Sequence, residues 1–137
     1  MTTNLRIFNS TRVFLKKAIQ PWKDEIIKRQ NGRCKISNQW RNVDVHHQSK
    51  SFHKIVDETL AATGLDFRPS VTDYTQAELD LLASTILKLH EGVTGVLVAR
   101  RLHEAYHKEY GGDCTLDNWR AFKAQYKPRR KNCKKTA

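Results

Sequence analysis

Cysteine is scarce in this chain: three in 137 residues, an odd number at widely spaced positions. That usage argues against a disulfide framework and for a reducing compartment. No run of 18 apolar residues occurs, so a membrane-spanning helix is not expected. The start, MTTNLRIFNSTRVFLKK, has no uninterrupted apolar segment behind a basic end. A secretory signal is therefore not expected either, and a cytoplasmic, non-secreted protein is. Internal repeats are absent, and no block is of low complexity apart from the last residues. Acidic residues are few beside basic ones, 14 Asp plus Glu against 25 Lys plus Arg, which leaves a formal net charge of +11. A charge of that size on a small chain favours polyanionic partners, because basic side chains release counterions condensed on phosphates. Charge alone leaves DNA, ribosomal RNA and a membrane surface all open.

What is present suffices for one modest core. Apolar residues make up 39% of the chain, with three Trp, four Tyr and five Phe, so wholesale disorder is not expected. The length fits one domain, expected over 1–126, with a basic, mobile tail over 127–137.

Residues 11–20 carry Val13, Phe14, Leu15 and Ala18 on one helical stripe. Pro21 suits the first turn of a second helix, which Asn31-Gly32 stops. Ile36, then Val43 and Val45, read as two short strands around a polar turn at 37–42, with His46-His47 closing the second strand. A helix follows over 51–60, with Phe52, Ile55, Val56 and Leu60 inward, and then a loop over 64–73. Thr75-Gln76-Ala77-Glu78 is a capping-box signature opening a helix that carries Leu79, Leu82, Ile86 and Leu89. Gly95–Val98 reads as a strand feeding the helix ARRLHEAYHKEY, which Gly111-Gly112 stops. Thr115 caps a last helix, with Leu116, Trp119, Phe122 and Tyr126 as its buried side. This pattern predicts an α+β, mostly helical protein.

Four of the six histidines form two tight pairs. His103 and His107 stand four apart on a predicted helix, which places two imidazoles on one face, a turn apart. His46 and His47 are adjacent at a strand end. A neutral imidazole nitrogen is a good ligand for a borderline divalent metal, and one member of the doublet completes a three-nitrogen set while its neighbour is left to activate water. A solvated surface pair is the alternative reading of either pair alone. His53 and His90 read as surface or helix-end residues, His90 interacting with the helix dipole when protonated.

Two stretches carry a family resemblance: Val43-Asp44-Val45-His46-His47, and Thr94-Gly95-Val96-Leu97-Val98 continuing through His103 to His107. They resemble the HNH (ββα-metal, or His-Me finger) endonucleases, and the segments flanking them are similar to those of small phage-type HNH proteins. The resemblance implies a core at about 34–111 holding a short β-hairpin and a metal-binding helix. Other helices surround it, with a helical insertion at about 48–94. It implies a metal-dependent DNA endonuclease that hydrolyses phosphodiester bonds to 5′-phosphate and 3′-hydroxyl ends. One divalent ion (Mg, Mn, Ni or Zn) is expected on His46, His103 and His107, with His47 as the general base. A histidine suits that task because imidazole ordinarily ionises near working pH. Asp44, two residues from His46 on the same strand face, is expected to orient a ligand. Thr94 stands where the family has an Asn and is expected to brace the loop. The expected partner is double-stranded DNA, contacted by Arg100, Arg101 and, from the tail, Lys127, Arg129 and Arg130. For a phage-encoded chain the compartment is the host cytoplasm. The structural zinc that many members carry is not expected, because Cys34-Lys35-Ile36-Ser37 and Ala99-Arg100-Arg101-Leu102 stand at the two CxxC positions. Cys114 and Cys133 read as ordinary thiols. The alternative carried beside this one is a basic nucleic-acid-binding protein that retains the fold without cutting.

Overall fold

A computed structural model describes residues 9–126. The basic segment 127–137, with Lys127, Arg129, Arg130 and Cys133, lies outside the described residues. Among the described residues the elements in chain order are α1 (Ser10–Ala18), α2 (Gln20–Arg29), β1 (Val43–His47), α3 (Phe52–Thr63), a 3-10 turn (Val71–Asp73), α4 (Gln76–Leu89), β2 (Gly95–Ala99), α5 (Arg100–Tyr110) and α6 (Leu116–Ala124). The protein is α+β and mostly helical, with one two-stranded antiparallel sheet among the described residues. Contacts divide the described residues into two compact units, one formed by 9–24 and Phe52–Gly92, the other by Glu25–Ser51 and 93–126.

In the first unit α3 and α4 pack together and α1 packs on α4. The capping box forms as the sequence predicts: Thr75 Oγ1 accepts from the Glu78 amide at 3.1 Å, and the Thr75 amide donates to Glu78 Oε1 at 2.9 Å. Ile55, Val56, Leu82 and Ile86 are buried. The α1 stripe is turned from the expected one. Thr11, Leu15 and Ile19 face inward at spacings of four, while Val13 is exposed. Thr11 can be buried because its hydroxyl donates to the Arg68 carbonyl and its amide to the Pro69 carbonyl. Val13 lies off that stripe, and its apolar character alone does not bury it.

In the second unit, the stop after α2 is a left-handed pair, Asn31 at φ 56° and Gly32 at φ 67°, with the Gly32 amide returning to the Ile27 carbonyl at 2.9 Å. The expected hairpin between Ile36 and Val43 does not form. Residues 35–37 are a tight turn instead, in which the Ile36 and Ser37 amides both donate to Cys34 Sγ at 3.3 Å. These local bonds satisfy the amides a strand would have used. The partner of β1 is β2, in the register Val43↔Ala99, Asp44↔Val98, Val45↔Leu97, His46↔Val96 and His47↔Gly95. Residues 48–94, with α3, the 3-10 turn and α4, lie between the two strands in sequence. The Gln30 side chain accepts from the Leu97 amide at 2.9 Å and donates to the Gly95 carbonyl at 3.1 Å, covering backbone groups of β2. The core of this unit joins Cys34, Val96, Val98, Ala99, Leu102, Tyr106, Cys114, Trp119 and Phe122. α6 starts at its Thr115 cap, whose side chain accepts from the Asn118 amide at 3.1 Å. Leu116, expected inward, is exposed.

Candidate metal centre

β1 supplies the first half of the site. Successive strand side chains alternate between faces, so adjacent histidines diverge. The His46 ring turns into the core, 4.3 Å from the Tyr106 ring and 5.2 Å from the Trp119 ring, centroid to centroid. His47, partly exposed, falls on the other face opposite Gly95, which has no side chain to crowd it.

The second half comes from α5, which follows β2 directly and whose start is tied to the residue before β1: the Arg100 amide donates to the Asn42 carbonyl at 2.7 Å. One turn apart on this helix, His103 Nε2 and His107 Nε2 lie 3.0 Å from each other. Both rings are held by their other nitrogen. His107 Nδ1 is 2.7 Å from the Gly111 carbonyl oxygen, and His103 Nδ1 is 3.2 Å from Asp44 Oδ2. Carbonyl and carboxylate oxygens only accept, which puts the proton of each neutral ring on Nδ1. Each Nε2 then presents a lone pair to the other. At 3.0 Å two lone pairs repel unless a proton or a cation joins them. Two nitrogens on one tetrahedral ion, each bonded at about 2.0–2.1 Å, stand about 3.3 Å apart, so the observed separation needs little change.

The His46 ring lies beside this pair. Its centroid is 5.3 Å from that of His103 and 5.7 Å from that of His107. The residue is 0% exposed, yet neither ring nitrogen has a hydrogen-bond partner. Burial, and then the charges of His103 and His107, push its pKa down to about 3, so the ring is neutral at working pH. A buried imidazole with both nitrogens idle costs about 1–3 kcal/mol in lost hydration. A cation taken up by one nitrogen would offset that cost, and so these residues fit a metal ion.

Cys114 also belongs to the neighbourhood. His46, His107 and Cys114 bring one donor atom each within 4.8 Å of one another, a group that could hold a metal ion. In the sequence Cys114 reads as an ordinary thiol. Its approach depends on the turn after α5, where Gly111 at φ 64° sends the chain back and the Tyr106 hydroxyl donates to the Asp113 carbonyl at 3.0 Å. The signal that was available is the stop Gly111-Gly112 between His107 and Cys114, since it folds one toward the other.

The remaining expected residues fall as follows. Asp44 accepts from His103 and also from Arg100 Nε, at 3.4 Å, so it joins β1 to the first two turns of α5. Arg100 and Arg101 are exposed. Thr94 makes its bonds at the strand entrance through its backbone: its amide donates to Ser49 Oγ at 3.0 Å and its carbonyl accepts from the Gln48 amide at 2.9 Å. His53 is exposed on α3 with Asp57 3.7 Å away. His90 corrects an expectation. It does cap α4, but it is buried against Trp22, and burial lowers its pKa, so it is neutral rather than a cation on the helix dipole. Its Nδ1 donates to the Ile86 carbonyl at 2.7 Å, which a neutral ring does as well.

Compared with family models, with curated proteins and with solved structures, the chain matches none.

Proposed function

We propose that this chain is a metal-dependent DNA endonuclease built on a ββα-metal core, with β1, β2 and α5 as that core. The observation that carries the reading is the fully buried His46, its ring nitrogens without partners, beside the facing Nε2 atoms of His103 and His107. His46, His103 and His107 would hold one divalent ion. When bound, that ion supplies Lewis-acid stabilisation of charge on a phosphate oxygen and on the leaving 3′ oxygen. His47, at the strand end, accepts the proton of the attacking water. Asp44 keeps the His103 ring turned and its Nδ1 protonated, and the Gly111 carbonyl does the same for His107. Arg100 and Arg101, exposed at the start of the metal helix, would contact the phosphate backbone. The net charge of +11 favours that encounter. Trp40, exposed with the Arg41 guanidinium 4.6 Å over its ring, offers a second contact for nucleic acid.

A second reading, a basic nucleic-acid-binding protein that does not cut, draws on one observation: strand alternation sends His47 to the face opposite His46. A cleavage assay across supercoiled, relaxed, single-stranded and branched DNA, with several divalent ions, separates the two. The endonuclease gives ion-dependent products with 5′-phosphate and 3′-hydroxyl ends. Binding to DNA without cleavage under any ion supports the second reading.

A further inference from the structure

We propose that Cys114 is a ligand of the same ion, as a thiolate that fills its coordination when the ion is thiophilic. This rests on the metal-site part of the reading above and adds to it a soft donor. The thiol lies within 4.8 Å of donor atoms of both His46 and His107. The independent observation pointing to a ligand is again His46, fully buried and without a partner at either nitrogen, within the same group. A tetrahedral zinc-class ion bonded to nitrogen at about 2.0–2.1 Å and to sulfur at about 2.3 Å separates those donors by about 3.5 Å. The 4.8 Å within which all three donor atoms lie is of the same order as that separation. That loop is tied to α5 at both ends of the approach. Gly111 holds the His107 ring through its carbonyl, and Asp113, next to Cys114, receives the Tyr106 hydroxyl.

The consequence is a choice set by the ion. Binding replaces the thiol proton, which is released to solvent, with a metal–sulfur bond. Zinc, cobalt or cadmium would accept sulfur together with the imidazoles, leaving little room for water or phosphate. Magnesium and manganese prefer oxygen and would leave the thiol out, keeping positions open. Soft ions would then be held most tightly and in the more closed arrangement.

Cobalt(II) and cadmium titrations of the full chain test this, read by absorption and not by cleavage. We expect a thiolate-to-metal charge-transfer band in the near ultraviolet that saturates at one equivalent. It persists in the double variant Cys34→Ser/Cys133→Ser, where Cys114 is the sole thiol, and is lost in Cys114→Ser. The double variant keeps the test decisive even if Cys114→Ser fails to fold. Binding with no such band, a band lost in the double variant, or no binding at all overturns the proposal. Ion-dependent cleavage without the band leaves the endonuclease reading standing and removes only Cys114; the band without cleavage does the reverse.

Discussion

His103 and His107 point their Nε2 atoms at each other across 3.0 Å, each ring anchored from behind by an oxygen acceptor. The spacing of four on a helix accounts for the rings sharing a face, but not for where the lone pairs go. Asp44, from a strand more than fifty residues earlier, and Gly111, at the helix stop, decide that. The surroundings, rather than the helix, set the facing of the two Nε2 atoms.

Asp44→Asn tests the anchoring. An amide can present nitrogen or oxygen to His103 Nδ1, so the tautomer is no longer fixed. Removing such an outer partner typically costs 10–100-fold in metal affinity, and that loss is expected in a zinc titration. Stability should change little, because Asp44 and Arg100 form a solvent-exposed pair at 3.4 Å.

Metal binding should stabilise the fold. An ion at about a hundred times its dissociation constant adds about 2.7 kcal/mol. For a chain of this size that raises the melting temperature by several degrees. Zinc, nickel or manganese should do this at least as well as magnesium, since imidazoles are softer than the oxygen ligands magnesium prefers. A chelator should reverse the shift and His107→Ala should abolish it, as differential scanning fluorimetry would report.

Without metal, stability should fall in mild acid. The folded His46 ring takes up a proton only near pH 3, whereas in the unfolded chain it does so near 6.5. Between those values the unfolded state binds the extra proton, so stability declines as pH falls through the window and levels off below it. From about pH 7 to about pH 4.5 the loss from His46 alone is on the order of 2–3 kcal/mol. His90, also held neutral by burial, acts in the same direction. Urea denaturation in the presence of chelator measures the slope, and His46→Phe should flatten it.

Away from the site, Thr75→Ala should destabilise the protein by about 1 kcal/mol, because it removes the acceptor for the Glu78 amide and half of the reciprocal cap. Thr75→Ser should cost much less. Chemical denaturation of the two variants gives the comparison.

Much of the helical content was legible locally. The Thr75 and Thr115 caps, the Asn31-Gly32 and Gly111 stops, and the apolar spacings of α3 and α4 each depend on residues a few positions apart. The strand partner of β1 was not legible from alternation. Ile36 offered a short apolar cue, but the turn around Cys34 consumed its amide, and β2 comes in the sequence only after α3 and α4. The histidine pairs were visible as spacing. That His46 is buried without partners, that His90 sits against Trp22, and that Cys114 returns to His107 all depend on packing between distant segments. Side-chain identity at one position carries no record of such encounters.

Under the proposed function the imidazole cluster serves hydrolysis, with His47 as the base. The most direct measurement is nicking of supercoiled plasmid by wild type and His47→Ala, run beside a zinc or nickel titration of both. Ion-dependent nicking by wild type, lost in the variant by about a hundredfold or more while ion affinity is kept, is the predicted result. Nicking that survives His47→Ala undiminished, or wild-type protein that binds the ion and DNA but leaves the plasmid intact, would contradict it.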